Sequence, residues 1–220
     1  MNNKILHSAE PVTLVGGGDH DEIALRECLR YAPKVVAADS GADVALSCDI
    51  LPHAVIGDFD SLSDAAKATI PPERLHHVGE QNSTDFEKCL RSIEAPAVLC
   101  AGFLGARLDH QVAVLSVLAR YEGRCLLVGA VDIVFAAPRH IALDLPLGSR
   151  FSLFPMGAVT GRSSGLRWPI DGLDFAPDGR IGTSNEVTGP VDLETDGAGM
   201  LVILPRSGFA QVLEAWGVIG

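Results

Sequence analysis

Short apolar runs alternate with helical periods as far as Val128. Val12-Thr13-Leu14-Val15 runs into Gly16-Gly17-Gly18, and Asp21 to Tyr31 carries apolar residues at helical spacing through Ile23, Leu25, Cys28 and Leu29. Further apolar runs lie at Val35–Ala38, Ala54–Ile56, Ala97–Cys100 and Cys125–Val128. Between them, Leu62–Ile70, Asp85–Ile93 and Asp109–Tyr121 read as helices, the first stopped by Pro71-Pro72. Apolar strands joined through helices predict a parallel sheet, Rossmann-like, with helices on both faces.

The pattern changes after about Gly129. Helical periods vanish until the C-terminus. Short β-like segments take over at Asp132–Ala136, Ile141–Leu145, Phe151–Phe154, Val187–Leu193 and Met200–Leu204, with dense Gly and Pro between them. This predicts a smaller all-β domain, a sandwich or barrel. The expected α/β fold therefore has two parts, residues 1–132 as an α/β domain and 133–220 as a β-domain.

Composition narrows the functional classes. The 220 residues carry a net charge of -11, which disfavours a nucleic-acid binder or an anionic membrane surface. No run reaches the roughly 20 apolar residues of a membrane span, and the N-terminal residues lack the apolar core of a signal peptide. The five cysteines are scattered and form no C-x-x-C pair, as expected of free thiols in a reducing cytoplasm.

Acidic residues fall repeatedly after the apolar runs. They occur in Ala38-Asp39-Ser40-Gly41-Ala42, Gly57-Asp58-Phe59-Asp60-Ser61, Ser83-Thr84-Asp85 and Arg107-Leu108-Asp109-His110. Ligands of open parallel sheets bind beyond the carboxyl ends of the strands. Carboxylates gathered there repel one another unless a cation sits among them, and Mg²⁺ takes oxygen ligands alongside substrate phosphates. Asp39, Asp58 and Asp60 are the leading metal candidates. An extended backbone at 58–60 would turn the last two to one side. Asp60 or Ser61 could instead cap the helix near Leu62. Thr84 and Glu87 fit a capping box, with Asp85 in the first turn. Gly17 lies either in a phosphate-binding loop or in a plain turn. Arg107 could grip phosphate bidentately, and Asp109 could cap the following helix. Trp168 is either core or a stacking face for a cation. Ser184 and Asn185, beside a turn, fit turn hydrogen bonds.

The ordered set Gly-Gly-Gly, A-D-S-G-A, G-D-F-D-S, Q-N-S-T-D-F-E-K, G-A-R-L-D-H, G-L-R-W-P and S-N-E, from about Val12 to Pro205, resembles the thiamine pyrophosphokinase family. Two motifs depart from the family pattern. Gly105-Ala106-Arg107 stands for the usual Gly-Gly-Arg, and Glu80-Gln81-Asn82-Ser83-Thr84-Asp85 lacks both early aspartates of D-x-D-x-T-D. The resemblance implies a homodimer whose active site is completed by both subunits. It implies transfer of the pyrophosphoryl group of ATP to thiamine, giving thiamine diphosphate and AMP. By the same resemblance Asp39, Asp58, Asp60 and Asp85 form the Mg²⁺ and phosphate cluster. Gln81 and Arg107 contact nucleotide phosphates, and Asp109 supports them. Trp168, Ser184 and Asn185 help to hold thiamine. The rival readings are a pyrophosphokinase acting on a pterin alcohol, a non-catalytic nucleotide- or thiamine-binding regulator, and a metal-dependent phosphohydrolase.

Overall fold

A computed structural model of the chain describes residues 4–19, 21–105 and 107–219. Ala106 of the arginine loop and the first three residues lie outside them. Two compact units are distinguished, one of Met1–Val117 with Cys125–Ala130, the other of Leu118–Arg124 with Val131–Gly220.

The first unit is built on β1 (Leu6–His7), β2 (Val12–Val15), α1 (Glu22–Tyr31), β3 (Lys34–Ala38), α2 (Gly41–Ser47), β4 (Ala54–Gly57), α3 (Asp64–Thr69), β5 (Leu75–His77), α4 (Asp85–Ser92), β6 (Ile93–Glu94), β7 (Val98–Ala101), α5 (Leu108–Leu118) and β8 (Cys125–Val128). Its sheet runs β8-β7-β2-β3-β4-β5, and every neighbouring pair is parallel. Strands β1 and β6 form a separate parallel pair. All four residues of β2, β4, β7 and β8 are buried, which is why these strands read as continuous apolar runs rather than alternating ones. The polar exception, Thr13, turns its hydroxyl to the Ala32 carbonyl, 2.6 Å away.

Helix starts follow capping chemistry. Asp21 accepts the Ile23 N–H at the head of α1, and Thr84 accepts the Glu87 N–H at the head of α4. Helix α3 begins later than its apolar pattern predicts, at Asp64, because its cap is Ser63 and not Asp60 or Ser61. Leu62 is still buried, in the cluster with Val55, Ala66 and Ile70. Helix α2 is absent from the sequence reading. Its seven residues are too few to show a period, and it buries only small side chains, Gly41, Ala42 and Ala45.

The second unit contains β9 (Asp132–Ala136), β10 (His140–Leu143), β11 (Arg150–Pro155), β12 (Gly161–Leu166), β13 (Thr183–Thr195), β14 (Met200–Pro205) and α6 (Phe209–Ala215). The order β10-β13-β11-β14-β9 is antiparallel throughout, and β12 also pairs with β13. Strand β13 has 13 residues, nearly twice its predicted length. Its first part, Thr183–Glu186, pairs with β11, and its last part pairs with β10 and β12. Gly189-Pro190 lies between the β11 and β10 pairings, at the irregularity in β12, which pairs on both sides of it through Leu166 with Val187 and Ser164 with Asp192. The expectation of a purely β second part is corrected by α6, which packs against β10 and buries Phe209, Val212 and Leu213. Phe135 meets Trp216 edge-to-face at 5.7 Å in this core.

Among the described residues no helix is long and apolar enough to cross a membrane. All five cysteines are free, and four are buried.

The Ser63 hydroxyl accepts the Ala66 N–H at 3.0 Å and donates to the Asp43 carboxylate. Ser63→Ala is expected to cost about 1 kcal/mol in urea unfolding, the scale of a lost N-cap. An unchanged unfolding midpoint would show that this cap does not stabilise α3.

Candidate active site

Strands β3 and β4 deliver the acidic residues. Asp39 follows β3 directly in a left-handed conformation, φ 45°, and its N–H continues the ladder to the Ile56 carbonyl at 3.1 Å. Aspartate tolerates this backbone better than most residues. Residue 57 has to be glycine. A Cβ there would lie 2.9 Å from the Asp39 Cβ. The missing side chain lets the two strand ends close up.

Beyond Gly57 the chain does not stay extended. Phe59 has φ 64°, and the Asp60 N–H turns back to the Asp58 carboxylate at 3.3 Å. Asp58 and Asp60 therefore converge through a tight turn, which corrects the extended-backbone expectation. Carboxylate oxygens of Asp39, Asp58 and Asp60 lie within 4.8 Å of one another. The Ser61 hydroxyl donates to Asp60 at 2.9 Å.

Asp39 is only 4% exposed. Its Oδ2 accepts the Ser61 N–H at 3.2 Å, whereas its Oδ1 is buried without a hydrogen-bond partner. Burial, with the charges of Asp85, Asp60 and Asp58, pushes its carboxyl up to about 6 against the pull of the Ser61 N–H. Burial works the same way on Asp58. There it is outweighed by the Asp60 N–H, the Gln81 amide at 3.0 Å and Lys88, so Asp58 sits below the usual carboxylate range. A buried, unpartnered oxygen in a group of three carboxylates fits a hard cation such as Mg²⁺.

The turn before α4 brings in Gln81 and Asp85. Glu80 fixes this turn by accepting the Ser83 hydroxyl, the Asn82 N–H and the Arg91 guanidinium, which together hold its carboxyl down to about 2. One turn into α4 stands Lys88, which sequence reasoning missed. Its ammonium is 2.9 Å from Asp85 and 3.5 Å from Asp58. Lys88 closes the motif Gln81-Asn82-Ser83-Thr84-Asp85-Phe86-Glu87-Lys88, but residue type and spacing alone assign it no role. The missing signal was that the α4 face carrying it is buried, along with Phe86, Cys89 and Leu90.

A cavity of about 400 Å³ opens at the same strand ends, lined among others by Gly17, Asp39, Asp85, Arg107 and His110. A Cβ on Gly17 would fall 2.0 Å from the Ser40 hydroxyl, so a side chain there would force Ser40 to turn away. Arg107 reaches Asp109 through two contacts, Nη2 to Oδ2 at 2.6 Å and Nε to Oδ1 at 3.2 Å. Hydrogen bonding to Arg107 holds the Asp109 carboxyl below its usual range. Asp58, Asp60 and Gln81 do not line this cavity, although Asp39 belongs both to it and to the carboxylate trio.

The remaining candidates lie in the second unit. Trp168 is 54% exposed, which rules out the core role. The Arg167 guanidinium lies 5.0 Å from its ring centroid. Asn185 is buried on β13 and clamps the Trp168 backbone. Its Oδ1 accepts the Trp168 N–H at 3.1 Å and its Nδ2 donates to the Trp168 carbonyl at 2.6 Å. Ser184 precedes it with its side chain exposed.

Comparison with known proteins supplies names for both halves. The family model described as thiamin pyrophosphokinase, catalytic domain, matches residues 25–128, and that described as thiamin pyrophosphokinase, vitamin B1 binding domain, matches residues 140–198. The first match includes every acidic candidate, and the second includes Trp168, Ser184 and Asn185. Thiamine pyrophosphokinase 1 of Oryza sativa subsp. japonica is 29% identical over 157 residues, 62% of this chain and 59% of that protein. Thiamin pyrophosphokinase 1 of Caenorhabditis elegans is 26% identical over 155 residues, 62% of this chain and 63% of that one. The chain thus spans about three-fifths of the length of the curated relatives it matches. Among solved structures, thiamin pyrophosphokinase from Geobacillus thermodenitrificans aligns with TM-score 0.71 at 21% identity, over 89% of this chain and 96% of that one. The enzyme from Candida albicans aligns with TM-score 0.72 at 15% identity, over 93% and 94%. At these identities the likeness is one of fold.

The raised Asp39 carboxyl sets a pH dependence. From about pH 4 to about pH 6 the folded chain holds a proton that the unfolded chain has released, so this group makes stability fall as pH rises. The loss is complete above about pH 6 and amounts to about 1–3 kcal/mol. Asp39→Asn removes this component. Urea unfolding across that range without divalent cations checks it, and an equal decline in the variant would assign the effect elsewhere.

Proposed function

Since the chain belongs to the thiamin pyrophosphokinase family, we propose that it transfers the pyrophosphoryl group of ATP to the hydroxyl of thiamine, giving thiamine diphosphate and AMP. The observation that carries this reading is the carboxylate trio at the carboxyl ends of β3 and β4, with Asp39 Oδ1 left unpartnered. Around that trio we read the first unit as a Rossmann-like nucleotide domain with helices on both faces of its sheet. The second we read as a small sandwich or barrel that binds thiamine and dimerises. The active form is then a homodimer with its cleft completed by both subunits, working in the cytoplasm, where buried free thiols persist.

Asp39, Asp58, Asp60 and Asp85 would hold Mg²⁺, which when bound supplies charge neutralisation at the phosphate oxygens. The chain's own groups do the rest. Gly17 leaves room for a phosphate beside the backbone. Gln81 and Arg107 orient phosphate oxygens, with Asp109 setting the plane of the guanidinium. Attack at the β-phosphorus builds charge on its oxygens and on the departing AMP, and a positioned guanidinium stabilises both. Asp58 or Asp60 accepts the proton of the attacking hydroxyl. The exposed Trp168 face, backed by Asn185 and flanked by Ser184, suits the flat thiazolium cation. The match to a vitamin B1 binding domain favours thiamine over a pterin alcohol.

The direct test is purified protein with ATP, Mg²⁺ and thiamine, following AMP and thiamine diphosphate. Production of AMP with a pterin alcohol and not with thiamine would replace the proposal, and phosphate release without any acceptor would point to hydrolysis.

Substitutions at four positions probe the roles. Asp58→Asn and Asp60→Asn should each lower turnover at least about 100-fold with the fold intact, the scale of removing a key electrostatic group. Near-normal rates in both would remove the cation assignment. Arg107→Lys keeps the charge and loses the planar fork, so turnover should fall. Wild-type behaviour of Arg107→Ala across ATP concentrations would make the residue structural. Trp168→Ala should leave melting nearly unchanged, because the side chain is exposed, and weaken thiamine use by about 1–2 kcal/mol. Unchanged thiamine saturation in that variant would end the stacking role.

A further inference from the structure

Lys88 is the strongest group in the first unit that the proposed chemistry leaves unused. Lysine is almost never fully buried unless it is paired, yet this residue is 3% exposed. Its ammonium touches two carboxylates from different parts of the fold. Asp85 is one turn earlier on the same helix, and Asp58 follows β4 thirty residues earlier in the chain. Helix α4 packs against β3 and β4, and the Cys89 thiol beside Lys88 reaches the Ile56 carbonyl at 3.7 Å. The Lys88 side chain is itself 2% exposed, so it is enclosed beneath the helix, and two carboxylates hold its head.

We propose that Lys88 is a positioning residue that ties Asp58 to Asp85, so that the Asp39, Asp58 and Asp60 oxygens stand at binding distance before a cation arrives. The inference rests on the cation site read above. Four carboxylates in one place push one another apart. One fixed ammonium shared by two of them opposes that spreading. It also leaves Asp58 Oδ1 facing the Asp60 side, because Oδ2 is the atom that Lys88 and Gln81 hold. An ordinary structural ion pair would stabilise the fold and leave the trio's geometry alone. A simple counter-charge would hinder any incoming cation. Positioning differs from both in sign, because losing Lys88 should weaken cation binding even though a positive charge has been removed.

The experiment is Mn²⁺ binding to the full chain without nucleotide, measured by electron paramagnetic resonance and calorimetry, for wild type and Lys88→Met. The expected result is at least about fivefold weaker Mn²⁺ binding in the variant, with turnover reduced and the KM for thiamine little changed. Unchanged or tighter Mn²⁺ binding would overturn the proposal, and so would a wild type that binds no Mn²⁺. If Lys88→Met does not fold, Lys88→Gln, which keeps a donor for one carboxylate, takes its place with the same reading. Because the binding measurement needs no reaction, weaker Mn²⁺ binding in the variant of a protein that makes no thiamine diphosphate would uphold the positioning role while rejecting the proposed activity.

Discussion

The close approach of β3 and β4 at their carboxyl ends is the constraint on which the acidic site depends. It exists because residue 57 has no side chain and Asp39 adopts a left-handed backbone. Each feature alone is ordinary. Together they put a carboxylate into a nearly dry position, next to two more, with one oxygen lacking any donor. Burying such a group costs free energy unless something answers its charge. Nearby donors answer part of it. The Ser61 N–H serves Asp39, while the Gln81 amide and the Lys88 ammonium serve Asp58. What remains is a surplus of negative charge aimed at one point.

Much of this was legible in the sequence, for physical reasons that differ from place to place. A central parallel strand is buried on both faces, so Val12–Val15 and Cys125–Val128 announce themselves as apolar runs with nearly the observed limits. The acidic residues stand out because most of them follow such a run. The geometry that joins them was not legible. The turn at Phe59, the cap at Ser63 and the buried placement of Lys88 depend on how α3 and α4 sit against the sheet, and no local pattern encodes that. The short α2, made of small residues, left no period to read.

In the second unit the sequence was more ambiguous. A tryptophan in a small β-domain reads first as core, with an exposed platform as the alternative, and only the surroundings of Trp168 decide. Asn185, two residues into a long strand, spends its side-chain amide on the backbone at residue 168 and so fixes the loop while leaving the indole outside. The Gly189-Pro190 pair falls inside the predicted segment Val187–Leu193, although proline cannot donate to a ladder. In the fold it sits where β13 leaves β11 and takes up β10, while β12 pairs on either side of it.

The pairing of β9 with β14 has a consequence for the order in which the chain can acquire structure. Every strand of the parallel sheet is available once residue 128 has been synthesised. Strand β9 follows at once, but its partner runs from Met200 to Pro205, with Asp132 set opposite Pro205. A nascent chain must therefore carry a valine- and phenylalanine-bearing strand through the making of nearly the whole second unit before that edge is covered. Long-range pairing of this kind slows folding and leaves apolar edges open to association. The first unit is placed to fold on the ribosome, and the second is placed to wait for its last strand.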